Sequence, residues 1–305
     1  MKVWKNNFVH QFHVFESCIL HFPVISFDTE FPGFVRDTPR RASEDTIYND
    51  MKYNVDNLKV IQLGMTLSDE SGNIGGTWEF NFSDFDEKID AHEHSSINFL
   101  KNNDLNLDEI KENGIPIAEF SNKFIQVLRS NQELRWVTFH GNYDLAYLLK
   151  LVTRKSMPSS VSEFAKINGE IFGEIYDVKY MARFHHELVG REIGLERMSK
   201  IFKVERRGGA HHAGSDSLVT SKIFHKMINS FSLVISEYEG FLYGISNRCM
   251  RRPMIVMGRS IGRCPPVVMG YPVVPYYRPI VILPRPCPRP TYDFSPVVVP
   301  IPQFY

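Results

Sequence analysis

Two acidic residues, Asp28 and Glu30, lie two positions apart at the end of an apolar run that begins at Phe22. Alternate side chains of an extended strand share a face, so both carboxylates are expected to point the same way. The β-branched and aromatic neighbours favour a strand, and Pro32-Gly33 ends it. Adjacent carboxylates repel each other unless a cation lies between them, which predicts a Mg²⁺ or Mn²⁺ site. The same spacing also occurs on solvated surface strands, which is the alternative interpretation.

A third acid, Asp144, follows the apolar stretch Leu134–His140 and opens a helical pattern that runs to Val152. An aspartate at a helix start often caps the helix by accepting a backbone N–H hydrogen bond. Alternatively, its side chain hangs over the end of the sheet beside the end of a neighbouring strand. The sequence leaves both interpretations open.

A fourth acid, Asp216, lies in a glycine-flanked segment that also contains His211. The helix that follows has its apolar stripe at Val219 and Ile223, and Asp216 extends this inward-facing stripe. Gly214 or Ser215 is available to cap this helix, which leaves Asp216 for another role. A histidine five residues before the acid can be aimed at the same point.

Carboxylates converging on one small volume remain ionised only around cations. A pair of divalent cations roughly 4 Å apart clamps the attacking and leaving oxygens in phosphoryl displacement. A neutral histidine, with an ordinary pKa of about 6.5, can take the proton from the attacking water. The residues alone therefore predict metal-dependent hydrolysis of phosphodiesters.

The composition of the 305-residue chain excludes several other classes of protein. The formal net charge is +0, so any nucleic acid must bind in a local basic groove. The four cysteines include no C-x-x-C pair, which argues against a disulfide scaffold or a cysteine zinc site. No segment has the unbroken apolar length of a membrane helix, so no membrane partner is expected.

Strand-like and helix-like patterns alternate to about Tyr243, which predicts an α/β domain over residues 1–246. The turn-rich Ser68–Gly76 predicts a hairpin, and the charged Arg36–Asn49 predicts a surface loop. Further strands are expected at Leu58–Leu67, Thr77–Phe82, Leu134–His140 and Glu174–Val178, and helices at Val3–Phe22, Ile117–Leu128, Asp144–Val152, Leu195–Phe202 and Ser215–Ile228.

Residues 247–305 differ in composition, because 13 of the 18 prolines lie at or beyond Pro253. Proline at this density prevents helix interiors and sheet ladders. We therefore expect a proline-rich, disordered or extended tail with polyproline II character. A docking segment for a proline-reading partner is the alternative.

Three motifs, in chain order, resemble those of the DEDD nucleases: Asp28-Thr29-Glu30, His140-x-x-x-Asp144 and His211-x-Ala213-x-x-Asp216. The histidine five residues before the last acid matches the DEDDh branch. Between about Val3 and Gly244 the chain resembles, more narrowly, the CCR-associated factor (CAF) deadenylases. This narrower resemblance rests on Phe27–Gly33, Asn54–Gly64, Trp78–Phe82, Tyr176–Tyr180 and Ala213–Leu218.

The resemblance implies an α/β, RNase H-like fold with a mixed five-stranded sheet flanked by helices. It implies two divalent cations, Mg²⁺ or Mn²⁺, with Asp28 bridging both. Glu30 and Asp216 would complete the ligands of the first cation, Asp144 would bind the second, and His211 would be the general base.

The resemblance further implies a poly(A)-specific 3′→5′ exoribonuclease that removes mRNA tails as adenosine monophosphate during mRNA degradation. The implied partners are poly(A) RNA and, within the CCR–NOT complex, a large NOT scaffold subunit and a CCR-type deadenylase. The implied location is nucleus and cytoplasm. A general DEDD 3′ exonuclease on short RNA or DNA, or a catalytically silent adaptor of the same complex, are the alternatives.

Several positions keep more than one interpretation. His212 adjoins His211, although spacing favours His211 as the base. The second motif reads His-Gly-Asn-Tyr-Asp where relatives usually have Ser-Gly after the histidine, which predicts a modest change of loop shape around Asn142. Asp177 could orient a ligand or a loop, or cap a helix that begins at Lys179. A basic cluster could contact substrate phosphates or form a solvated face; it consists of Lys200, Lys203, Arg206 and Arg207.

Overall fold

The computed structural model describes residues 1–131, 133–185, 188, 193–231 and 234–251. Its strands are β1 (Lys2–Val3), β2 (Val24–Glu30), β3 (Gln62–Ser68), β4 (Ile74–Asn81), β5 (Arg135–Thr138) and β6 (Glu174–Asp177). Its helices are α1 (Phe8–Ile19), α2 (Glu44–Asn57), α3 (His94–Asn102), α4 (Leu107–Asn113), α5 (Ile117–Ser130), α6 (Asn142–Thr153), α7 (Val161–Phe172), α8 (Val178–Ala182), α9 (Leu195–Ile201) and α10 (Ala213–Phe231), and a 3₁₀ helix covers Ile235–Tyr238.

The strands form one mixed sheet in the order β1-β4-β3-β2-β5-β6. β3 is antiparallel to both β2 and β4, whereas β5 runs parallel to β2 and β6. The mixed sheet agrees with the fold that the resemblance implies, and β1 adds a sixth, two-residue strand at the edge. The predicted helix does not extend back to Val3, because Val3 pairs with Phe80 in the sheet and α1 begins at Phe8.

Phenylalanine rings pack α1 and α5 onto the sheet. Phe8, Phe12 and Phe15 of α1 are buried, as their helical spacing predicts. The rings of Phe80 in β4 and Phe120 in α5 lie 5.0 Å apart between centroids. Aromatic pairs at such separations add to the free energy gained from area burial. This layer forms the support behind the strand that carries Asp28 and Glu30.

Helix α2 corrects one prediction, because Arg36–Asn49 is not entirely a surface loop. The helix begins at Glu44, after Ser43, whose hydroxyl accepts a hydrogen bond from the Thr46 N–H. The apolar residues that it buries, Tyr48, Met51 and Val55, are separated by polar ones, so the stripe is too sparse to stand out in the sequence. Helices α3, α4 and α7 were also not predicted.

A glycine allows α10 to approach the centre of the sheet. Gly64 in β3 lies opposite Asp28 in β2. A Cβ atom at Gly64 would lie 1.9 Å from the Ala213 carbonyl oxygen, so a larger residue cannot be accommodated without moving the helix. This close contact brings the first turn of α10, which contains Asp216, beside β2.

The chain remains packed on this body beyond residue 246. Cys249 is buried, and its N–H donates to the Gly240 carbonyl oxygen. Residues 252–305 lie outside the described residues, so the proline-rich tail, its possible docking role and the domain boundary stay predictions. In the described part of the chain, no helix combines the length and apolarity required to span a bilayer.

Candidate active site

Three of the four predicted acids form a compact cluster at the end of β2. The carboxylate oxygens that Asp28, Glu30 and Asp216 offer lie within 4.8 Å of one another. Asp28 and Glu30 share a face of β2, as the alternation predicts, while the side chain of the neighbouring Phe27, on the opposite face, is fully buried. Asp216 comes from the first turn of α10, which begins at Ala213, so that neither of the predicted capping residues lies before the helix.

Asp144 joins these acids from helix α6. It lies in the first turn of α6, whose N-cap residue is Gly141, so Asp144 does not cap the helix. Its Oδ1 accepts hydrogen bonds from the backbone N–H of Thr29 at 2.8 Å and from the Thr29 hydroxyl at 2.6 Å. All four acids border one cleft of about 570 Å³. The sequence did not indicate a role for Thr29, because strand alternation places it on the face opposite Asp28 and Glu30.

Burial and neighbouring negative charges raise the pKa values of three of these acids. Burial is the main cause for Asp28, and the charges of Asp144, Asp216 and Glu30 raise its pKa further. Burial and the charges of Asp216 and Asp144 likewise raise the pKa of Glu30. Burial raises the pKa of Asp144 to about 7, against the opposing effect of the Thr29 hydrogen bonds. A buried set of oxygen donors with this electrostatics fits hard divalent cations such as Mg²⁺ or Mn²⁺.

Arg206 is a positive charge that contacts this cluster directly. Its Nη1 forms an ion pair with Asp216 and donates to the Ser215 hydroxyl at 3.1 Å. The guanidinium also lowers the pKa of Asp28, against the larger raising effects. Sequence reasoning placed Arg206 only in a basic cluster, and its contact with Asp216 ten residues away carries no sequence signal. None of the four residues of that cluster lines the cleft, and Arg206 reaches the acids through its contact with Asp216.

The two adjacent histidines of the third motif lie in different environments. His211 is exposed and borders the cleft, and its ring packs edge-on against Phe99 at 4.5 Å between centroids. His212 is buried, with Nε2 2.8 Å from the Asn103 carbonyl oxygen and Nδ1 4.0 Å from the Glu79 carboxylate. Of these two, His211 is therefore the one that borders the acids' cleft.

Asp177 organises the loop that carries the second motif. It is fully buried, and its carboxylate accepts the backbone N–H groups of His140, Lys179 and Tyr243, each at 2.9 Å. It therefore both caps α8 and holds the loop before α6, which agrees with the capping and the loop-orienting interpretations. Asp177 does not line the cleft.

The backbone is strained at the histidines of the second and third motifs. His140 has φ 57° and His211 has φ 60°, in the left-handed region that residues other than glycine rarely adopt. Such conformations persist only where surrounding contacts enforce them, and they concentrate at functional sites. Next to His140, the Asn142 side chain donates to the Tyr243 carbonyl oxygen at 2.7 Å. Asn142, the first residue of α6, therefore attaches the segment around Tyr243 to the start of this helix.

We expect divalent cations to stabilise the protein more at about pH 8 than at about pH 5.5. The raised pKa values of Asp28, Glu30 and Asp144 mean that folding favours the protonated acids, so metal-free stability falls as pH rises through these values. Bound cations remove this repulsion only where the acids are ionised. Thermal melts with Mn²⁺ and with EDTA at both pH values test this, and equal shifts in Tm at the two would contradict it.

Comparison with known proteins identifies the family. The protein-family model described as CAF1 family ribonuclease matches residues 3–135 and 117–224 of the sequence. The chain belongs to this family. This CAF1 family ribonuclease is 45% identical over 240 residues to the probable CCR4-associated factor 1 homolog 5 of Arabidopsis thaliana, covering 78% of this chain and 84% of the relative.

Solved structures of relatives agree with the fold. Poly(A) ribonuclease pop2 of Schizosaccharomyces pombe is 35% identical over 253 residues, covering 80% of this chain and 74% of that protein. The structure of its Mg²⁺- and Mn²⁺-bound form matches with a TM-score of 0.73, covering 80% of this chain and 98% of the other. A yeast CAF1 co-crystallised with a NOT1 MIF4G domain matches at 26% identity with a TM-score of 0.69, covering 79% and 95%. The α/β, RNase H-like fold and the family resemblance are thereby confirmed.

Proposed function

We propose that this CAF1 family ribonuclease is a 3′→5′ exonuclease that removes the poly(A) tails of mRNA using two divalent cations. The observation that carries the proposal is the convergence of Asp28, Glu30, Asp144 and Asp216, from three distant segments, on one cleft that His211 also borders. Further support comes from pop2, which is named a poly(A) ribonuclease and whose solved structure holds Mg²⁺ and Mn²⁺.

In this proposal, Asp28 would serve both cations. Glu30 and Asp216 would complete the protein ligands of one, and Asp144 would hold the other. The cations would supply positive charge at the attacking and leaving oxygens of the phosphodiester. Thr29 fixes one oxygen of Asp144 through two hydrogen bonds, which leaves the second oxygen of this carboxylate for a ligand.

His211 acts as the general base, because it is exposed at the cleft and free of the buried contacts that hold His212. It accepts the proton of the water whose oxygen bonds to phosphorus, while the bond from phosphorus to the 3′ oxygen of the preceding nucleotide breaks. One wall of the cleft carries the rings of Phe34 and Tyr143, 4.8 Å apart between centroids. The Phe34 ring, which is 40% exposed, is available to hold a base by stacking.

We also propose that the chain works within a CCR–NOT complex, with a NOT scaffold subunit and a CCR-type deadenylase as partners. Support comes from the CAF1 relative that co-crystallised with a NOT1 MIF4G domain and from the CCR4-associated factors among the relatives. The proposed location is nucleus and cytoplasm. Co-purification of the chain with a NOT1 MIF4G domain tests the first of these assignments.

A ladder assay tests the proposed activity. We expect Mn²⁺- or Mg²⁺-dependent shortening of 5′-labelled oligoadenylate at a rate about tenfold or more above that for poly(U), poly(C) or single-stranded DNA. Equal rates on all four substrates would indicate a general DEDD exonuclease. Absence of cleavage with either metal would indicate an adaptor and would refute the enzyme assignment.

A further inference from the structure

A surface of aromatic and basic side chains continues from one edge of the cleft. Ile47 and His140 line the cleft, and Ile47 also lines a second cavity of about 360 Å³. The His140 ring packs edge-on against Tyr243 at 5.0 Å between centroids, which joins the cleft to this neighbouring surface. We call this surface the aromatic shelf and define it by Lys179, Tyr180, Arg183, Phe241 and Tyr243.

The three rings of the shelf are partly exposed, and two of them are stacked on each other. Tyr180 and Phe241 stack with their centroids 5.2 Å apart and their planes within 9° of parallel. Phe184, which is 54% exposed, extends the ring surface from Tyr180 at 5.3 Å. The Arg248 guanidinium lies over the Phe241 ring, 4.8 Å from its centre. The rings of this group that are open to a base are therefore those of Tyr180 and Phe184. Bases of a single strand stack on exposed aromatic rings with little dependence on sequence.

The charge of the shelf favours a polyanion. Lys179 Nζ lies 4.5 Å from the centre of the Tyr243 ring, and the exposed Arg183 guanidinium lies 5.8 Å from the same point. Glu44 is an acid that lines the second cavity, but its carboxylate oxygens accept hydrogen bonds from the Ser246 N–H and hydroxyl, each at 2.6 Å. Two cations beside stacked rings match the backbone charge and the bases of single-stranded RNA.

We propose that the aromatic shelf binds the RNA nucleotides that lie outside the cleft, on the 5′ side of the few 3′-terminal nucleotides held within it. The inference rests on the proposed exonuclease function, because the occupant is the enzyme's own substrate. An RNA whose 3′ end reaches the acids has to leave the cleft across one of its edges, and this edge offers both stacking faces and cations. The continuity with the cleft favours RNA over a protein partner.

The test compares a short and a long substrate in the full-length protein with Mn²⁺. Wild-type protein and Arg183→Glu are assayed on 5′-labelled oligoadenylates of about 3 and about 20 nucleotides, because only the longer reaches the shelf. The matched control is Arg129→Glu, which reverses the charge of an exposed arginine on α5 that lines neither cavity. We expect Arg183→Glu to lower the ratio of kcat/KM for the long over the short substrate by about fivefold or more, and Arg129→Glu to leave that ratio unchanged.

A salt series gives an independent readout. If Arg183 contacts one phosphate, Arg183→Gln reduces the slope of log KM against log salt for the long substrate by about 0.7. Unchanged ratio and slope in the Arg183 variants, with wild-type protein active on both substrates, would overturn the shelf assignment and leave the surface to a protein partner. Wild-type protein inactive on both substrates would instead refute the exonuclease function on which the shelf depends.

Discussion

Asp28→Asn is expected to lower nuclease activity by about a thousandfold or more while raising the melting temperature of the metal-free protein. Asparagine keeps the size of the side chain but removes the charge proposed to serve both cations. Burial and three neighbouring acids raise the pKa of Asp28, so its ionisation costs folding free energy at neutral pH. In a chain of this size, each kcal/mol added to the free energy of unfolding raises Tm by about 2–4 °C. Activity on labelled oligoadenylate and melts in EDTA measure the two effects.

The control is Asp45→Asn, which changes an exposed acid of α2 outside the cleft. It should leave activity unchanged and, because Asp45 lies in the first turn of its helix, should lower Tm slightly rather than raise it. Substantial activity of Asp28→Asn would contradict the metal assignment.

Asp216→Asn should also lose activity, but its metal-free Tm should fall. Repulsion within the cluster would by itself predict that removing any one of the acids stabilises the metal-free protein. The structure separates them, because Asp216 forms an ion pair with the largely buried Arg206, which would keep Glu196, 3.6 Å from its Nε, as its remaining carboxylate partner.

His211→Ala is expected to lower kcat by about a hundredfold to a thousandfold while keeping the metal-dependent rise in Tm. The imidazole is proposed to accept a proton, and it does not belong to the acid cluster that would hold the cations. Steady-state kinetics on oligoadenylate and melts with and without Mn²⁺ measure the two properties separately. A kcat within threefold of wild type would exclude His211 as the base.

His212→Ala provides the matched control, since it removes the adjacent imidazole. Its kcat should stay close to that of the wild type, because His212 does not border the cleft. Its Tm should fall, because the variant loses a buried hydrogen bond to the Asn103 carbonyl oxygen, which contributes about 1 kcal/mol. A selective loss of activity in His212→Ala, with unchanged stability, would reverse the assignment of the two histidines.

Local patterns predicted the parts of the fold that depend on neighbouring residues. The strand with Asp28 and Glu30, the hairpin of β3 and β4, and the inward stripe of α10 all follow from side-chain periodicity and turn residues. Helix α2 was missed because its buried residues are few and separated by polar ones. Strand β1 was missed because two residues carry no periodicity, and only their pairing with β4 defines them.

The amino-acid sequence by itself determined the acids, their order along the chain, the elements that carry most of them and the family to which the chain belongs. Tertiary structure alone decided that Thr29 fastens Asp144 across 115 positions, that Arg206 pairs with Asp216, and that His211 faces the cleft while His212 is buried. It also placed the Tyr180 ring of α8 and the segment around Tyr243 beside the cleft. These contacts join residues whose separation in sequence follows no local period, so they arise only when the helices pack against the sheet.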